Sequence, residues 1–308
     1  MTRIKWLLPV VVLWGVLLPA GPVKVLAVQA PKATPKPKAG PITKPVRDRW
    51  KLDTYYAKYA TAGELVVVGS NNVDDGAIVV AADTVSQMLS CRPDLLKVLV
   101  AAQVRVAVIG KDEKTTDLPE YAELRTKADF WNKRSRGLGA TAAAPASSVG
   151  EENLLGLAGD RYKGESILVH EFAHTFHTMA LNAVDRKFEP RLKEAYTKAM
   201  KKGLWEKTYA AIDYIEYWAE GVQSYFDANL ASPTPDGIHN DIATRDALKK
   251  YDPDLYELID TTLKSPKWKW TPPAPHAKEP AGHGPDAPAG VASTLRDYHP
   301  GRAARVVQ

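Results

Sequence analysis

The sequence predicts an α+β fold in which a small sheet packs on one buried helix and the C-terminal half is mainly helical. Two apolar runs rich in β-branched residues, 64–68 and 104–109, are typical of strands. An apolar stretch with helical character, 94–102, precedes the second of them. Because strands and helices alternate before residue 165 and helical patterns dominate after it, the order of elements favours an α+β domain.

A buried helix is expected from Ser166 onward. The run 166–183 carries apolar side chains on nearly every turn and has no internal Gly or Pro, and Glu165 and Ser166 are candidate capping residues. The same run contains His and Glu side chains. Because an unpaired polar group inside a protein costs about 1–3 kcal/mol, a buried helix must satisfy them, and a metal ion would do so.

The pattern H-E-x-x-H occurs in this helix as His170-Glu171-Phe172-Ala173-His174. Residues four apart lie on one helix face, so both imidazoles can reach one ion at Zn–N distances of about 2.0 Å. Glu171 can then contact a water on the metal and act as a general base. The pattern therefore predicts one zinc ion per chain and hydrolytic chemistry, with a chance match as the alternative.

His177 is a weak candidate for a third ligand. A metzincin has a Gly seven residues after the first His and a third His ten residues after it, but this chain has His177 and Ala180 there, which excludes that class. His177 shares the helical face of His170 and His174 but is displaced along the axis. It is expected to support a ligand, to face substrate, or to be a satisfied core histidine.

A second patterned segment, 209–226, supplies a better third ligand. Glu216 and Glu220 are four apart among aromatic and small residues, and two like charges on a buried face repel each other unless a cation lies nearby. The economical arrangement places Glu216 on the zinc and lets Glu220 accept the free ring N–H of a ligating His. Asp213-x-x-Glu216 also fits a capping box, which would explain Glu216 but not Glu220 and would make Glu220 the ligand.

These two segments together resemble a known family. HEFAH followed by Y-x6-E-Y-W-A-E is similar to the gluzincin metalloproteases of the anthrax lethal factor and Pro-Pro endopeptidase type, whose pattern is HExxH and then Y-x6-E-F-F-A-E. The resemblance covers roughly residues 165–227. Tyr217 and Trp218 stand where the family usually has Phe.

The resemblance implies a zincin-like metallopeptidase domain with a defined set of site residues. It implies zinc on His170, His174 and Glu216, and Glu171 as the general base. It also implies that Tyr209 stabilises the oxyanion and that Glu220 supports a ligand. Removing a hydrogen-bond donor to an oxyanion costs roughly 2.7–4 kcal/mol of transition-state stabilisation. The alternative for Tyr209 is that it is a packing residue.

The N-terminus predicts export. Arg3 and Lys5 precede an apolar run, 6–20, and 28–30 offers small residues for cleavage, so 1–30 is expected to be a signal peptide. The apolar run is interrupted by Pro and Gly and is short for a span of about 20 residues, which favours cleavage over retention as a membrane anchor. The expected location is secreted or in the cell envelope.

Composition divides the rest of the chain. Residues 31–46 form a Pro/Lys-rich linker, 47–263 the expected catalytic domain, and 264–308 a Pro-rich tail expected to be mostly disordered. Lys267-Trp268-Lys269-Trp270 would either contact an anionic surface such as a membrane or wall polymer, or pack back on the domain. The single cysteine, Cys91, excludes an intrachain disulfide and is expected to be buried and inert.

The charge distribution argues against a nucleic-acid partner. The whole chain carries a formal charge of +5, yet residues 51–263 hold 25 basic and 32 acidic residues. A nucleic-acid-binding domain would carry its basic face on the folded part. The expected partner is a peptide or protein substrate, and the chain is expected to be a monomer.

Two further positions have open interpretations. The Gly/Ala/Ser-rich stretch 136–153 lies directly before the H-E-x-x-H helix and is either a wall of the substrate cleft or a surface connection. His239 follows the turn 233–237 and is expected at the surface rather than in the cleft.

The function favoured by the sequence is that of a secreted zinc metalloendopeptidase. One alternative is a catalytically silent zincin-fold binding or scaffold protein at the cell surface, in which the metal is structural. The intact Glu171 argues against that alternative, because a purely structural site does not use a base beside the metal. A hydrolase of non-peptide amides is also compatible with the motif.

Overall fold

The computed structural model describes residues 36–274 of the protein. The first half of this range contains a six-stranded sheet. The expected signal peptide, 1–30, and the chain beyond 274 lie outside the described residues. The sheet order is β1-β2-β3-β4-β6-β5, with β3, β4 and β6 parallel and the remaining pairings antiparallel. The strands are β1 (Gly40–Pro41), β2 (Lys58–Ala62), β3 (Leu65–Gly69), β4 (Arg105–Ile109), β5 (Gly137–Leu138) and β6 (Ala146–Gly150).

The central strands are buried along their whole length. All five residues of β3 and all five of β4 are buried, because helices cover the sheet where it is parallel, and such strands have continuous apolar runs instead of an alternating pattern. Gly63, with a φ of 60°, makes the tight turn from β2 to β3. The strands predicted at 64–68 and 104–109 are confirmed to within one residue at each end.

Helices connect the strands and make up the C-terminal half. Their bounds are α1 (Lys44–Trp50), α2 (Asp75–Met88), α3 (Pro93–Ala101), α4 (Ala128–Arg134), α5 (Glu151–Leu155), α6 (Ile167–Phe176), α7 (Asn182–Val184), α8 (Phe188–Lys201), α9 (Tyr214–Tyr225), α10 (Arg245–Tyr251) and α11 (Pro253–Leu263). Short 3₁₀ segments lie at Thr115–Asp117, Pro119–Lys127 and Tyr209–Ala211. Between residues 36 and 274 no strand follows β6, so the α+β prediction with a mainly helical second half is confirmed.

Helix α6, which carries H-E-x-x-H, lies between the sheet and α9. It contacts β5 and β6 on one side and α9 on the other. Ser166 caps it by accepting a hydrogen bond from the backbone N–H of Val169, as the sequence indicates. After Phe176 the chain continues as a π-helical turn, His177–Leu181, and then as α7, so the expected helix has the right extent but is widened in its second half.

The ordered chain extends past both expected ends of the 47–263 domain. Gly40 pairs with Tyr59 in the sheet. At the other end the Trp270 backbone N–H donates to the Phe226 carbonyl (2.7 Å), and the ring of Trp268 lies 5.3 Å from that of Phe226. Of the two alternatives for this Trp pair, the structure shows packing against the body.

The expectation that Cys91 is buried is wrong. Cys91 is exposed, contrary to expectation, because it lies in the turn between α2 and α3 and not on a helix face. None of the helices between residues 36 and 274 has both the length and the apolarity needed to cross a bilayer.

Candidate metal centre

Three side chains from α6 and α9 converge on one point. The Nε2 atoms of His170 and His174 lie 3.2 and 3.1 Å from the same Glu216 oxygen, Oε2. The two Nε2 atoms are 3.0 Å apart. His170 and His174 meet because they are four apart on α6, and Glu216 reaches them because the first turn of α9 packs on that face of α6.

The triangle formed by these three atoms fits a zinc ion. Three ligand atoms bound to a tetrahedral zinc at about 2.0–2.1 Å lie roughly 3.3 Å from one another. The observed separations of 3.0–3.2 Å are close to that value. Two imidazole nitrogens and a carboxylate oxygen are also the donor set of catalytic zinc sites, which leave the fourth position open.

The charge around the triangle favours a cation. Burial disfavours a charged imidazole at His170, but the carboxylates of Glu216, Glu171 and Glu220 outweigh burial and raise the pKa of His170 to about 10. Burial likewise opposes ionisation of Glu216, yet His174 and His170 hold the pKa of that carboxyl well below its usual range. The site thus stabilises positive charge at the point where the three ligand atoms meet.

The capping-box alternative for Glu216 is resolved by its neighbour. The Asp213 side chain caps α9 by accepting hydrogen bonds from the backbone N–H groups of Ile215 and Glu216. The Glu216 side chain is directed instead at the two imidazoles. Capping and the metal triangle therefore use different side chains at the start of α9.

Glu171 lies on the side of α6 that faces the edge strand β5. Burial raises the pKa of its carboxyl, while the charges of His170 and His174 and a hydrogen bond with the Gly139 backbone lower it. Gly139 lies so close to α6 that a Cβ on it would be 2.7 Å from the Cβ of His174. The stretch 136–153 therefore contributes a wall beside Glu171, not a remote surface connection.

Tyr209 lies in the 3₁₀ turn before α9, next to the triangle. Its hydroxyl donates to Glu216 Oε1 (3.3 Å), and its ring centre is 6.2 Å from that of His170. Burial and the Glu216 charge raise the pKa of the phenol well above its usual value. Tyr209 is therefore a protonated hydrogen-bond donor at neutral pH.

The outer nitrogen of His170 has two oxygen neighbours. Nδ1 lies 2.8 Å from Gln223 Oε1 and 3.4 Å from Glu220 Oε1. Glu220 thus lies where the sequence places it, but Gln223 makes the shorter contact and is missing from the expected site. The signal was present in the sequence, because Glu216, Glu220 and Gln223 follow the i, i+4, i+7 spacing of one helix face.

Behind this contact lies a buried polar cluster. Gln223 Nε2 donates to Glu165 Oε2 (3.1 Å), and His239 Nε2 lies 3.4 Å from the same oxygen. Asn229 Nδ2 donates to Glu220 Oε2 (3.0 Å). His239 is only 8% exposed, so the expectation of a surface histidine is wrong, because the loop after 237 folds back over Glu165.

His177 is not brought into the triangle. Its Nε2 pairs with Glu189 Oε2 of α8 at 2.8 Å, and its ring packs on Phe188 and Trp218. The side chain is 2% exposed. Among the alternatives for this residue, the structure matches a core histidine with an acidic partner.

Among the comparisons with known proteins, the search of solved structures found similar chains. The chain matches no model of a known protein family, and no curated protein matches it either. Among solved structures, that of the Pro-Pro endopeptidase (PPEP-2) from Paenibacillus alvei is similar to it, with 19% sequence identity and a TM-score of 0.43, over 65% of this chain and 98% of that chain. The assignments below depend on the distances within this chain and not on that similarity.

Proposed function

We propose that this protein is a zinc metallopeptidase of the gluzincin type, with His170, His174 and Glu216 as the zinc ligands and Glu171 as the general base. The observation that carries the proposal is the triangle of three ligand atoms, 3.0–3.2 Å apart and buried between α6 and α9. The full H-E-x-x-H pattern on α6 supports it, since a structural site has no use for Glu171.

The side chains divide the reaction between them. Zinc, when bound, polarises the scissile carbonyl and makes a water a better nucleophile. Glu171 accepts the proton of that water and passes it to the leaving amine. Burial raises the pKa of the Glu171 carboxyl towards neutral pH, which suits a group that both accepts and releases a proton. Tyr209 turns its hydroxyl hydrogen from Glu216 to the carbonyl oxygen of the substrate and donates a hydrogen bond to that oxygen as it becomes negatively charged.

The edge strand β5 gives the substrate a place to bind. Within residues 36–274 β5 pairs only with β6, which leaves its other edge without a strand beside Glu171. An extended peptide can lie along such an edge. The backbone N–H groups of Gly137 and Leu138 already donate to the hydroxyls of Ser135 and Ser148, so the peptide would pair with the remaining backbone groups. This supports a peptide or protein as the substrate.

Export and solution state are further parts of the proposal. The basic residues, apolar run and small residues of 1–30 support a signal peptide, and hence a secreted or envelope location. The acidic excess of residues 51–263 supports a substrate other than nucleic acid. We propose a monomer with one zinc ion per chain.

The test is peptidase activity in the Glu171→Gln variant. The zinc-loaded wild-type chain, incubated with a library of unstructured peptides, is expected to cleave a subset of them and to stop when a chelator is added. Glu171→Gln is expected to keep its zinc and to lose about 10²- to 10⁴-fold in rate, because only the proton acceptor is removed.

A matched control is Glu194→Gln on α8, an acid with a 64% exposed side chain. It is expected to cleave like the wild type. Absence of cleavage by the zinc-loaded wild type, or undiminished cleavage by Glu171→Gln, contradicts the proposal.

A further inference from the structure

The amide of Gln223 occupies a fully buried position behind the metal triangle. Its exposure is 0%, and its Oε1 lies 2.8 Å from His170 Nδ1, on the side of the ring opposite Glu216. A buried amide has four hydrogen-bonding positions to satisfy, and its orientation decides whether it accepts from the imidazole or donates to it.

That orientation is fixed by what surrounds the amide nitrogen. Nε2 lies near Glu165 Oε2 (3.1 Å), the Ser166 carbonyl (3.3 Å) and the Ala228 carbonyl (3.4 Å), all of which only accept hydrogen bonds. Turning the amide over would set its oxygen against those three acceptors and leave buried groups unpaired, at about 1–3 kcal/mol each. The amide oxygen must therefore face His170.

The amide oxygen of Gln223 determines which ring nitrogen of a neutral His170 carries the proton. With an acceptor at 2.8 Å from Nδ1, a neutral His170 keeps its proton on Nδ1. Its Nε2 lone pair then points into the triangle with His174 and Glu216. A metal ligand needs that arrangement, and a hydrogen bond on the outer ring nitrogen commonly enforces it.

Glu220 is the competing partner, and its geometry is poorer. Its Oε1 lies 3.4 Å from His170 Nδ1, and its Oε2 accepts a hydrogen bond from Asn229 Nδ2 at 3.0 Å. Gln223 makes a contact with Nδ1 that is shorter by more than half an ångström. The short contact and the fixed amide favour Gln223.

The second histidine of the triangle lacks such support. His174 Nδ1 is buried and has no hydrogen-bond partner in the part of the chain that the structure describes. Within the described residues, His170 is therefore the member of the ligand pair whose outer ring nitrogen has a hydrogen-bond partner.

We propose that Gln223 is a positioning residue for the metal centre, which fixes the tautomer and ring orientation of His170 and is itself held by Glu165. This inference rests on the proposed function, because it assigns Gln223 a role toward the ion that His170 would bind. In this inference the Gln223 amide, and not the Glu220 carboxylate expected from the sequence, accepts the hydrogen bond from His170 Nδ1.

The experiment compares zinc affinity in the full-length wild-type chain and three variants by competition with a chelator. Gln223→Met has nearly the same volume but lacks the acceptor, and zinc affinity is expected to fall about 10- to 100-fold. Glu220→Gln keeps an oxygen acceptor and is expected to change affinity less. Tyr225→Phe, a control on the same helix whose hydroxyl donates to Asp260, is expected to bind zinc like the wild type.

A second readout tests the hydrogen bond on His170 Nδ1 directly. In the ¹⁵N-labelled wild-type chain the His170 Nδ1–H proton is expected to be protected from exchange with solvent, and Gln223→Met is expected to remove that protection. Zinc binding by the wild type with unchanged affinity in Gln223→Met overturns this inference and leaves the proposed function standing. An unprotected Nδ1–H in the wild type also overturns it, and absence of zinc binding by the wild type overturns both.

Discussion

Glu216 uses both of its carboxylate oxygens at the triangle. Oε2 faces the two imidazole nitrogens, at 3.2 and 3.1 Å, and Oε1 accepts from the Tyr209 hydroxyl at 3.3 Å. A buried carboxylate with three partners of this kind stays ionised, which agrees with its lowered pKa. The same carboxylate holds the phenol of Tyr209 beside the triangle.

Removal of the Tyr209 hydroxyl is predicted to slow catalysis without loss of zinc. Tyr209→Phe is expected to lower kcat by about 10²- to 10³-fold, because the hydroxyl is a donor to the developing oxyanion. Steady-state kinetics and zinc analysis on the same sample check this prediction.

Tyr196→Phe is the matched control for that variant. The Tyr196 hydroxyl donates to the Ala211 carbonyl, in the same 3₁₀ turn as Tyr209, but makes no contact with the triangle. It is expected to keep wild-type kinetics. If Tyr209→Phe were equally active, Tyr209 would be a packing residue and its catalytic role would be wrong.

The residues of the triangle could be predicted from the sequence, whereas Gln223 was missed. Spacing within one helix determines which side chains share a face, so His170 with His174, and Glu216 with Glu220, follow from the sequence alone. The partner of His170 Nδ1 depends on how α9 is rotated against α6, and that rotation results from packing across the whole interface. The family pattern ends at Glu220 and gives no information about Gln223.

At the scale of elements, the site depends on the close approach of β5 to α6. A Cβ at Gly137 would lie 2.6 Å from the Ile167 side chain and 2.9 Å from the Ser148 carbonyl. A Cβ at Gly139 would lie 2.7 Å from His174 Cβ and 3.2 Å from the Glu171 carbonyl. Glycine at these two positions lets the edge strand lie against the helix that holds both histidines.

The substitution Gly139→Ala is predicted to disturb the site by overpacking. The added methyl group has no space, so β5 or His174 must shift, at a cost of about 1–3 kcal/mol in the free energy of unfolding. Peptidase activity is expected to fall with it, because Glu171 and His174 adjoin the clash. Thermal unfolding and activity measured together check this prediction.

The control for this variant is Gly159→Ala. A Cβ at Gly159 would meet nothing within 4 Å. It is expected to leave stability and activity unchanged. Wild-type behaviour of Gly139→Ala would show that β5 does not pack against α6 as described.

The long helix was predicted in extent but not in form. Two threonines, Thr175 just before the π-helical turn His177–Leu181 and Thr178 within it, donate their hydroxyls to backbone carbonyls four residues earlier. Thr175 donates to Glu171 (2.8 Å) and Thr178 to His174 (2.9 Å). Such bonds compete with the regular helical ladder and bend helices. Apolar periodicity alone gives no indication of this widening.

At the scale of the whole molecule, described residues just outside the expected 47–263 domain pack against it. Residues 264–274 are Pro- and Lys-rich, which is typical of disordered chain, but Arg245 donates to the Pro266 and Trp268 carbonyls (3.0 and 2.9 Å) and ties the segment down. A few tertiary contacts thus outweigh local composition. The α+β class with a mainly helical second half, by contrast, was predicted correctly, because the apolar runs of β3 and β4 and the helical patterns after residue 165 are local.

The most direct test of the account is zinc stoichiometry in the full-length chain, stripped of metal and then dialysed against zinc. The wild type is predicted to bind one zinc per chain, Glu216→Ala to lose it, and Glu220→Ala to keep it. Zinc is also predicted to raise the unfolding temperature of the wild type but not of Glu216→Ala, because a ligand that binds only the folded state stabilises it. Absence of zinc in the wild type, or equal binding by Glu216→Ala, would contradict a metal centre formed by His170, His174 and Glu216.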